Sequence, residues 1–209
     1  MGIPVEVPGL DTIIPEVGEG RLLVVESGAD AAKSFFVRRL ALTALRNHWP
    51  VTYLISRDAE ELRALLSVEG GGALDNGARL VIHEEDAVRT LADYGGEGGL
   101  LAIDSFSFLT LDLPPTKFAV LVRALRAVCH EKGTTVLLAT DRGMFEPRAE
   151  AVALHLADGV IQFHAKEGPE GVIRFLRIPK WTDGKFVDRN IYYEFDGKRL
   201  AIDLRRRVL

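Results

Sequence analysis

Short apolar runs alternate with amphipathic stretches along most of the chain, and this alternation is the first indication of its fold. Apolar runs typical of buried strands lie at residues 21–27, 51–56, 79–83, 100–104 and 134–140. Helical periodicity predicts helices at residues 31–48, 58–67, 84–93, 116–132 and 147–156. Strands that alternate with helices indicate a mostly parallel sheet with helices packed on its faces. The pattern therefore predicts an α/β fold.

The chain after residue 156 is instead rich in β-branched and aromatic residues. Turn residues at 166–171 and at Asp196-Gly197 predict two antiparallel hairpins there. No segment of linker composition divides the 209 residues, so we expect one domain over residues 1–209.

The composition suits a folded cytoplasmic protein. Apolar residues make up 47% of the chain, enough for a sizeable core, and the net charge of −4 argues against nucleic-acid binding. The single cysteine, Cys129, rules out an internal disulfide and is expected in the core. We find no signal peptide and no apolar run long enough to span a membrane, so the expected localisation is cytoplasmic. Scarce amides beside many charged residues are typical of thermophile proteins.

The most informative motif is the first apolar strand, which leads into a lysine-serine pair, Lys33-Ser34. This is the layout of a phosphate-binding loop, in which backbone N–H groups, a lysine and a hydroxyl hold the phosphates. Here the first glycine position holds Ser27, and the glycine position before the lysine holds Ala32. Asp30 also places a carboxylate where an anionic ligand would lie. The candidate nucleotide-binding residues of this degenerate loop are Gly28, Lys33 and Ser34.

A later apolar strand, Leu100–Asp104, ends in a carboxylate, as a Walker B element requires. Such a strand delivers its last side chain to the carboxyl edge of the sheet, where it can orient a magnesium ion. Ser34 and Asp104 are the candidate metal ligands, on condition that a magnesium nucleotide binds. Structural alternatives stay open: Ser34 as a helix cap, Asp104 as an acceptor for the Ser34 hydroxyl, and Lys33 as the partner of Asp30.

The order of these elements resembles the RecA superfamily, and in particular its KaiC-like and archaeal RadA-like ATPases. Three short motifs carry the resemblance: Gly9-Leu10-Asp11, Asp104-Ser105 and Ala157-Asp158-Gly159. The resemblance implies a RecA-like three-layer sandwich with a mostly parallel central sheet and C-terminal antiparallel hairpins. It also implies ATP and magnesium as the cofactors of a working site.

Three departures from this pattern affect one reaction. The loop lacks its glycines, and Ser56-Arg57 stands where KaiC-like enzymes carry paired glutamates that activate water. A Lys-x-Arg element that reaches a neighbouring subunit's phosphate in the family is Lys180-Trp181-Thr182 here, without its arginine. Neither serine nor arginine is a general base at neutral pH without an activator. We therefore assign no catalytic residue and expect a RecA-like paralog that has lost ATP hydrolysis.

The expected role is that of a regulatory or interaction module, and the resemblance implies an accessory part in recombination or repair. Its partner would be another protein, either an active RecA-like or RadA-like relative or a second copy of the chain. The alternatives are a weak magnesium-dependent ATPase or ATP-binding switch, and a DNA-binding recombination accessory. The segment Asp141–Arg148 corresponds to a DNA-contacting loop of the RecA group, but two arginines against two acids favour a lid or a protein contact. The apolar run Ser105–Leu111 is either a protein interface or part of the core.

Overall fold

The computed structural model describes residues 2–28, 32–55, 58–70, 80–83, 98–168, 171–182 and 187–203. Within these residues a nine-stranded sheet forms the centre of the molecule, and a two-stranded hairpin precedes it. The hairpin consists of β1 (Ile3–Pro4) and β2 (Glu16–Val17). The strands of the large sheet are β3 (Leu22–Ser27), β4 (Val51–Ile55), β5 (Leu80–His83), β6 (Leu100–Asp104), β7 (Thr135–Asp141), β8 (Gly159–Gly168), β9 (Gly171–Lys180), β10 (Val187–Phe195) and β11 (Leu200–Ile202).

The large sheet has the strand order β11-β10-β9-β8-β3-β7-β6-β4-β5. The six strands from β8 to β5 in this order run parallel to one another. The strands β8, β9, β10 and β11 pair antiparallel in sequence order, which confirms both predicted hairpins. The predicted sheet, mostly parallel with antiparallel hairpins at its C-terminal end, is therefore confirmed.

Helices cover both faces of the sheet and complete three layers. They are α1 (Ala32–Arg46), α2 (Ala59–Gly70), α3 (Phe106–Leu109), α4 (Pro115–Lys132) and α5 (Pro147–Leu156). One apolar core joins α1, α2 and the N-terminal residues 3–17 to one face of the sheet. A second core joins α3, α4 and α5 to the opposite face. Alternate residues of β3, β4, β6 and β7 enter the two cores, as expected for strands that are buried on both faces.

Several element boundaries differ from the sequence prediction. The strand predicted at 134–140 extends one residue further, so that Asp141 is its last residue. The helix predicted at 58–67 extends to Gly70, and the Asp58 carboxylate caps it by accepting the Glu60 N–H at 2.7 Å. Helix α3 and the hairpin β1–β2 were not predicted, because both are too short to show a period. The helix predicted at 84–93 lies outside the described residues.

Aromatic residues of the C-terminal strands belong to the core, and so does the lone cysteine, which was predicted there. The Phe163 ring packs between Phe36 and Tyr193 at centroid distances of 5.9 and 5.4 Å. Cys129 is 1% exposed, and burial raises the pKa of its thiol to about 12, so that it is an inert apolar group. No helix within the described part of the chain is long and apolar enough to cross a membrane.

Candidate functional site

The residues singled out in the sequence meet at the carboxyl edge of the parallel sheet. Strand β3 lies beside β7, and its last residue, Ser27, is directly opposite Asp141. Strand β6 lies on the other side of β7 and ends at Asp104. Helix α1 begins at Ala32, which places Lys33 and Ser34 in its first turn above these strand ends. In open α/β sheets this edge is the usual place for a ligand site.

Lys33 is buried and paired within the chain. Its side chain is 4% exposed, and its Nζ donates to Asp141 Oδ1 at 2.5 Å and to the Thr140 carbonyl at 3.2 Å. A buried ammonium is stable only when it is paired and hydrogen-bonded, and this geometry supplies both conditions. The partner considered in the sequence analysis, Asp30, lies outside the described residues.

Two serines at the start of α3 hold Asp141 in place. The Ser105 hydroxyl donates to Asp141 Oδ2 at 2.6 Å, so both carboxylate oxygens accept a hydrogen bond. The Asp141 N–H donates to the Ser107 hydroxyl at 2.6 Å. This is the part of the site that sequence reasoning missed. A strand that ends in aspartate was the signal for Asp104, and β7 carries the same signal at Asp141.

Asp104 accepts hydrogen bonds on both oxygens as well. Ser34 Oγ donates to Oδ1 at 3.0 Å, and the Tyr53 phenol donates to Oδ2 at 3.2 Å. Burial, with the Asp104 carboxylate as the next cause, raises the pKa of Tyr53 well above its usual value. The phenol therefore stays protonated, and its hydrogen bond orients the Asp104 carboxylate. The Ser34–Asp104 contact is the structural alternative considered for these two residues in the sequence.

A second polar network lies behind the first strand end. The Glu26 side chain is 3% exposed, and its Oε1 accepts from Arg142 Nε at 2.8 Å and from Gln162 Nε2 at 3.3 Å. The Arg142 backbone N–H also donates to the Ser27 carbonyl at 2.8 Å. Arg142 thus ties the loop after β7 to the start of the phosphate-loop segment. It lies in the segment Asp141–Arg148, whose first two residues contact the chain's own site.

His164 adjoins this network and predicts a pH dependence of stability. Its Nδ1 lies 3.1 Å from Arg142 Nη1, and its ring stacks on Phe175 at a centroid distance of 4.7 Å. Burial, followed by the charges of Arg142, Arg177 and Lys166, lowers the pKa of His164 from 6.5 to about 4.

The folded state thus binds fewer protons at His164 than the unfolded state between these two pKa values. The stability it contributes is complete above pH 6.5 and is lost as the pH falls toward 4. We expect denaturant unfolding of the wild-type chain to show this decline and His164→Gln to show a smaller one. If the unfolding free energy of the two proteins fell equally with decreasing pH, His164 would not be the group responsible.

The described residues bring the two candidate magnesium ligands together, but they place a carboxylate where a triphosphate would lie. Ser34 and Asp104 are adjacent, as a hydroxyl and a carboxylate that share a magnesium ion must be. A Cβ at Gly28 would meet no atom of the described residues within 4 Å. The Lys33 ammonium, however, is engaged by Asp141, and a triphosphate there would meet that carboxylate. Among the described residues no group of three or more His, Cys, Asp or Glu side chains could hold a metal ion.

The other positions compared with the family pattern lie away from Lys33 or outside the described residues. Ser56 and Arg57 lie outside those residues, and Glu60 is an exposed partner of Arg63 at 2.9 Å. Lys180 ends β9 at the opposite edge of the sheet. Its Nζ donates to the His155 carbonyl at 2.7 Å, so the ammonium caps α5 of its own chain.

Comparisons with known proteins establish the fold. No family model matches the chain, and no curated protein matches its sequence. Among solved structures it is similar to the KaiC-like protein PH0186 from Pyrococcus horikoshii OT3, with a TM-score of 0.78, 17% identity and coverage of 97% of this chain and 99% of that one. It is also similar to the flagellar accessory protein FlaH from Methanocaldococcus jannaschii, with a TM-score of 0.76, 15% identity and coverage of 97% and 98%. The RecA-like α/β fold is therefore confirmed, and at these identities the likeness concerns the fold alone.

Proposed function

We propose that this chain is a RecA-like module that does not hydrolyse ATP and acts by binding another protein. The observation that supports this most is the Lys33–Asp141 ion pair, in which a carboxylate of the chain takes the contact that a phosphate would need. The sequence supports it further, because Ser56-Arg57 stands where KaiC-like enzymes carry the paired glutamates that activate water. The sequence resemblance implies an accessory role in recombination or repair.

Electrostatics explains why this pair would oppose nucleotide binding. A phosphate that reached Lys33 would lie close to the Asp141 carboxylate, and two like charges about 4 Å apart repel by about 4 kcal/mol at an effective dielectric constant of 20. Asp141 Oδ1 and the Thr140 carbonyl already accept two of the three N–H groups of Lys33, so only the third is left for a phosphate. The binding energy of the phosphate must offset the repulsion from Asp141 before any affinity remains.

A surface for a partner lies beside the same edge of the sheet. The run Ser105–Leu111 divides in the structure: Phe106 is buried, whereas Phe108 and Leu111 are 59% and 52% exposed. We refer to these two exposed side chains as the Phe108–Leu111 patch. Large apolar side chains of this kind anchor protein interfaces. The partner in this proposal is an active RecA-like relative or a second copy of the chain.

The Phe108–Leu111 patch makes a prediction about association. Changing Phe108 and Leu111 to serine removes apolar contact area at the surface, so we expect weaker association and an unfolding free energy within about 0.5 kcal/mol of the wild type. Analytical ultracentrifugation measures two associations: that of the chain with itself, and that of the chain with a co-expressed RecA-like ATPase. Val68→Ser is the matched control, because Val68 is 84% exposed on α2. Equal loss in the control would remove the patch from the proposal.

Thermal unfolding with magnesium ATP tests the nucleotide part. A live site stabilises the folded state by RT ln(1 + [L]/Kd), about 2.7 kcal/mol at a hundredfold excess over Kd. We expect millimolar magnesium ATP to leave the melting temperature of the wild-type chain unchanged. A rise that disappears in Ser34→Ala would instead support the second candidate, an ATP-binding switch. The observation that favours that candidate is the adjacency of Ser34 and Asp104.

The DNA-binding alternative receives less support. Arg142, one of the two arginines in its loop, is engaged by Glu26. Salt-sensitive retention of single-stranded DNA that is weakened by Arg148→Gln would favour it over the protein-binding module.

A further inference from the structure

A cavity of about 470 Å³ opens at the edge of the sheet opposite Lys33. Arg21 directly precedes β3 and Asp158 directly precedes β8, so the cavity lies at the amino ends of the parallel strands. Its volume is in the range of small-molecule sites. Its lining includes Arg21, Arg126, His155, Asp158, Lys180 and Trp181.

The lining is rich in hydrogen-bond donors and poor in free acceptors. Asp158 is the one carboxylate among the described lining residues, and its Oδ2 already accepts the Leu22 N–H at 2.9 Å. Asp158 Oδ1 lies 3.6 Å from the Arg126 guanidinium, which neutralises its charge. A cation in this cavity would therefore find no unneutralised carboxylate on the part of the lining that the structure describes.

The carbonyls at the end of α5 are satisfied in the same way. Lys180 donates to the His155 carbonyl at 2.7 Å, and Arg126 donates to the Leu156 carbonyl. The negative end of the helix dipole is thereby neutralised by two cations. Arg21 is the charge that remains, because its guanidinium forms no hydrogen bond or ion pair with the described residues.

Trp181 gives the cavity a fixed apolar wall. Its side chain is 9% exposed, and its six-membered ring lies on the backbone of Gly159. A Cβ at residue 159 would come within 2.8 Å of Trp181 Cε3, so glycine is needed for this contact. The indole therefore keeps its orientation beside the cations.

We propose that this cavity binds a small phosphate-bearing molecule, with Arg21 as the main contact. A guanidinium presents its N–H groups in a planar fork that matches two oxygens of a phosphate. The net positive lining attracts the anion, and the cavity is larger than one phosphate group requires. The site is separate from the Lys33 edge and does not depend on whether that edge binds ATP.

Fluorescence of Trp181 tests this proposal directly. The chain has two tryptophans, so Trp49→Phe leaves Trp181 as the sole indole reporter. Titration with inorganic pyrophosphate in this background is expected to give a saturable change in emission. Arg21→Gln is expected to weaken the affinity about tenfold or more, the effect of losing one charge-assisted hydrogen bond. Arg63→Gln, an exposed arginine on α2, is the matched control and should leave the affinity unchanged.

Three results would overturn the proposal. The first is no saturable change in emission and no heat in titration calorimetry. The second is an affinity that Arg21→Gln leaves unchanged. The third is binding that Lys33→Met abolishes and Arg21→Gln does not, which would place the pyrophosphate at the opposite edge of the sheet. Unfolding curves of each variant show whether it is folded during the titration.

Discussion

Replacing Asp141 with asparagine is expected to lower the free energy of unfolding by about 3 kcal/mol, because it leaves the buried Lys33 ammonium without its counter-charge. The amide is nearly isosteric with the carboxylate, so the packing around β7 is preserved. The Ser105 hydroxyl also keeps a possible acceptor on the amide oxygen. Denaturant unfolding measures the change.

A double variant separates the ion pair from other effects of the Asp141 substitution. Lys33→Met removes the charge and keeps much of the side-chain volume, so Lys33→Met with Asp141→Asn should be more stable than Asp141→Asn alone. Asp112→Asn is the control, because Asp112 is exposed. Additive effects of the two site substitutions would show that the pair does not couple, contrary to its geometry.

Replacing Arg142 with glutamine is expected to lower the unfolding free energy by about 2–3 kcal/mol. Arg142 is the one charged group among the described residues that pairs with the Glu26 carboxylate, and the Glu26 side chain is 3% exposed. The substitution leaves a buried carboxylate with only the Gln162 amide, at 3.3 Å. Removing one partner of a buried pair is strongly destabilising, and the partial exposure of Arg142 reduces the effect.

The matched partner variant for this network is Glu26→Gln. Together with Arg142→Gln it removes both charges, and we expect the double variant to recover part of the stability lost in Arg142→Gln. Arg148→Gln, an exposed arginine of the same segment, is the control and should stay within about 0.5 kcal/mol of the wild type. Arg142→Gln that behaves like Arg148→Gln would show that Glu26 does not require its partner.

The fold followed from the sequence because its signals are local. The apolar runs at β3, β4, β6 and β7 and the turn residues at Asp196-Gly197 each specify an element without knowledge of the rest. The rule that parallel strands share a carboxyl edge then brought Lys33, Ser34 and Asp104 together. These are the parts of the site that depend only on where strands end.

The pairing of Lys33 could not be found in the same way. Its partner Asp141 is 108 residues away, and the predicted strand ended one residue before it. Successive side chains of a strand point to opposite faces, so the exact end of β7 determines where the Asp141 side chain lies. With the strand ending at residue 140, Asp141 was assigned to the loop and not to the site. Tyr53 was missed for a related reason, because an apolar strand gives no sign that its phenol reaches Asp104.

The sequence also could not predict which residues of the apolar run Ser105–Leu111 are exposed. Phe106 and Phe108 are two residues apart, yet the first is buried between α4 and the sheet and the second is 59% exposed. Helix α3 has only four residues, which is too short for a periodic pattern to show its buried side. The Phe108–Leu111 patch therefore became visible only in three dimensions.

The central claim is that Lys33 pairs with Asp141 and does not contact a nucleotide phosphate. Steady-state release of phosphate from magnesium ATP tests this claim most directly. We predict that the wild-type chain and Lys33→Ala give the same rate, equal to the background without protein, at millimolar ATP. Turnover by the wild-type chain that disappears in Lys33→Ala would show that Lys33 contacts phosphate during a reaction, and would contradict the account.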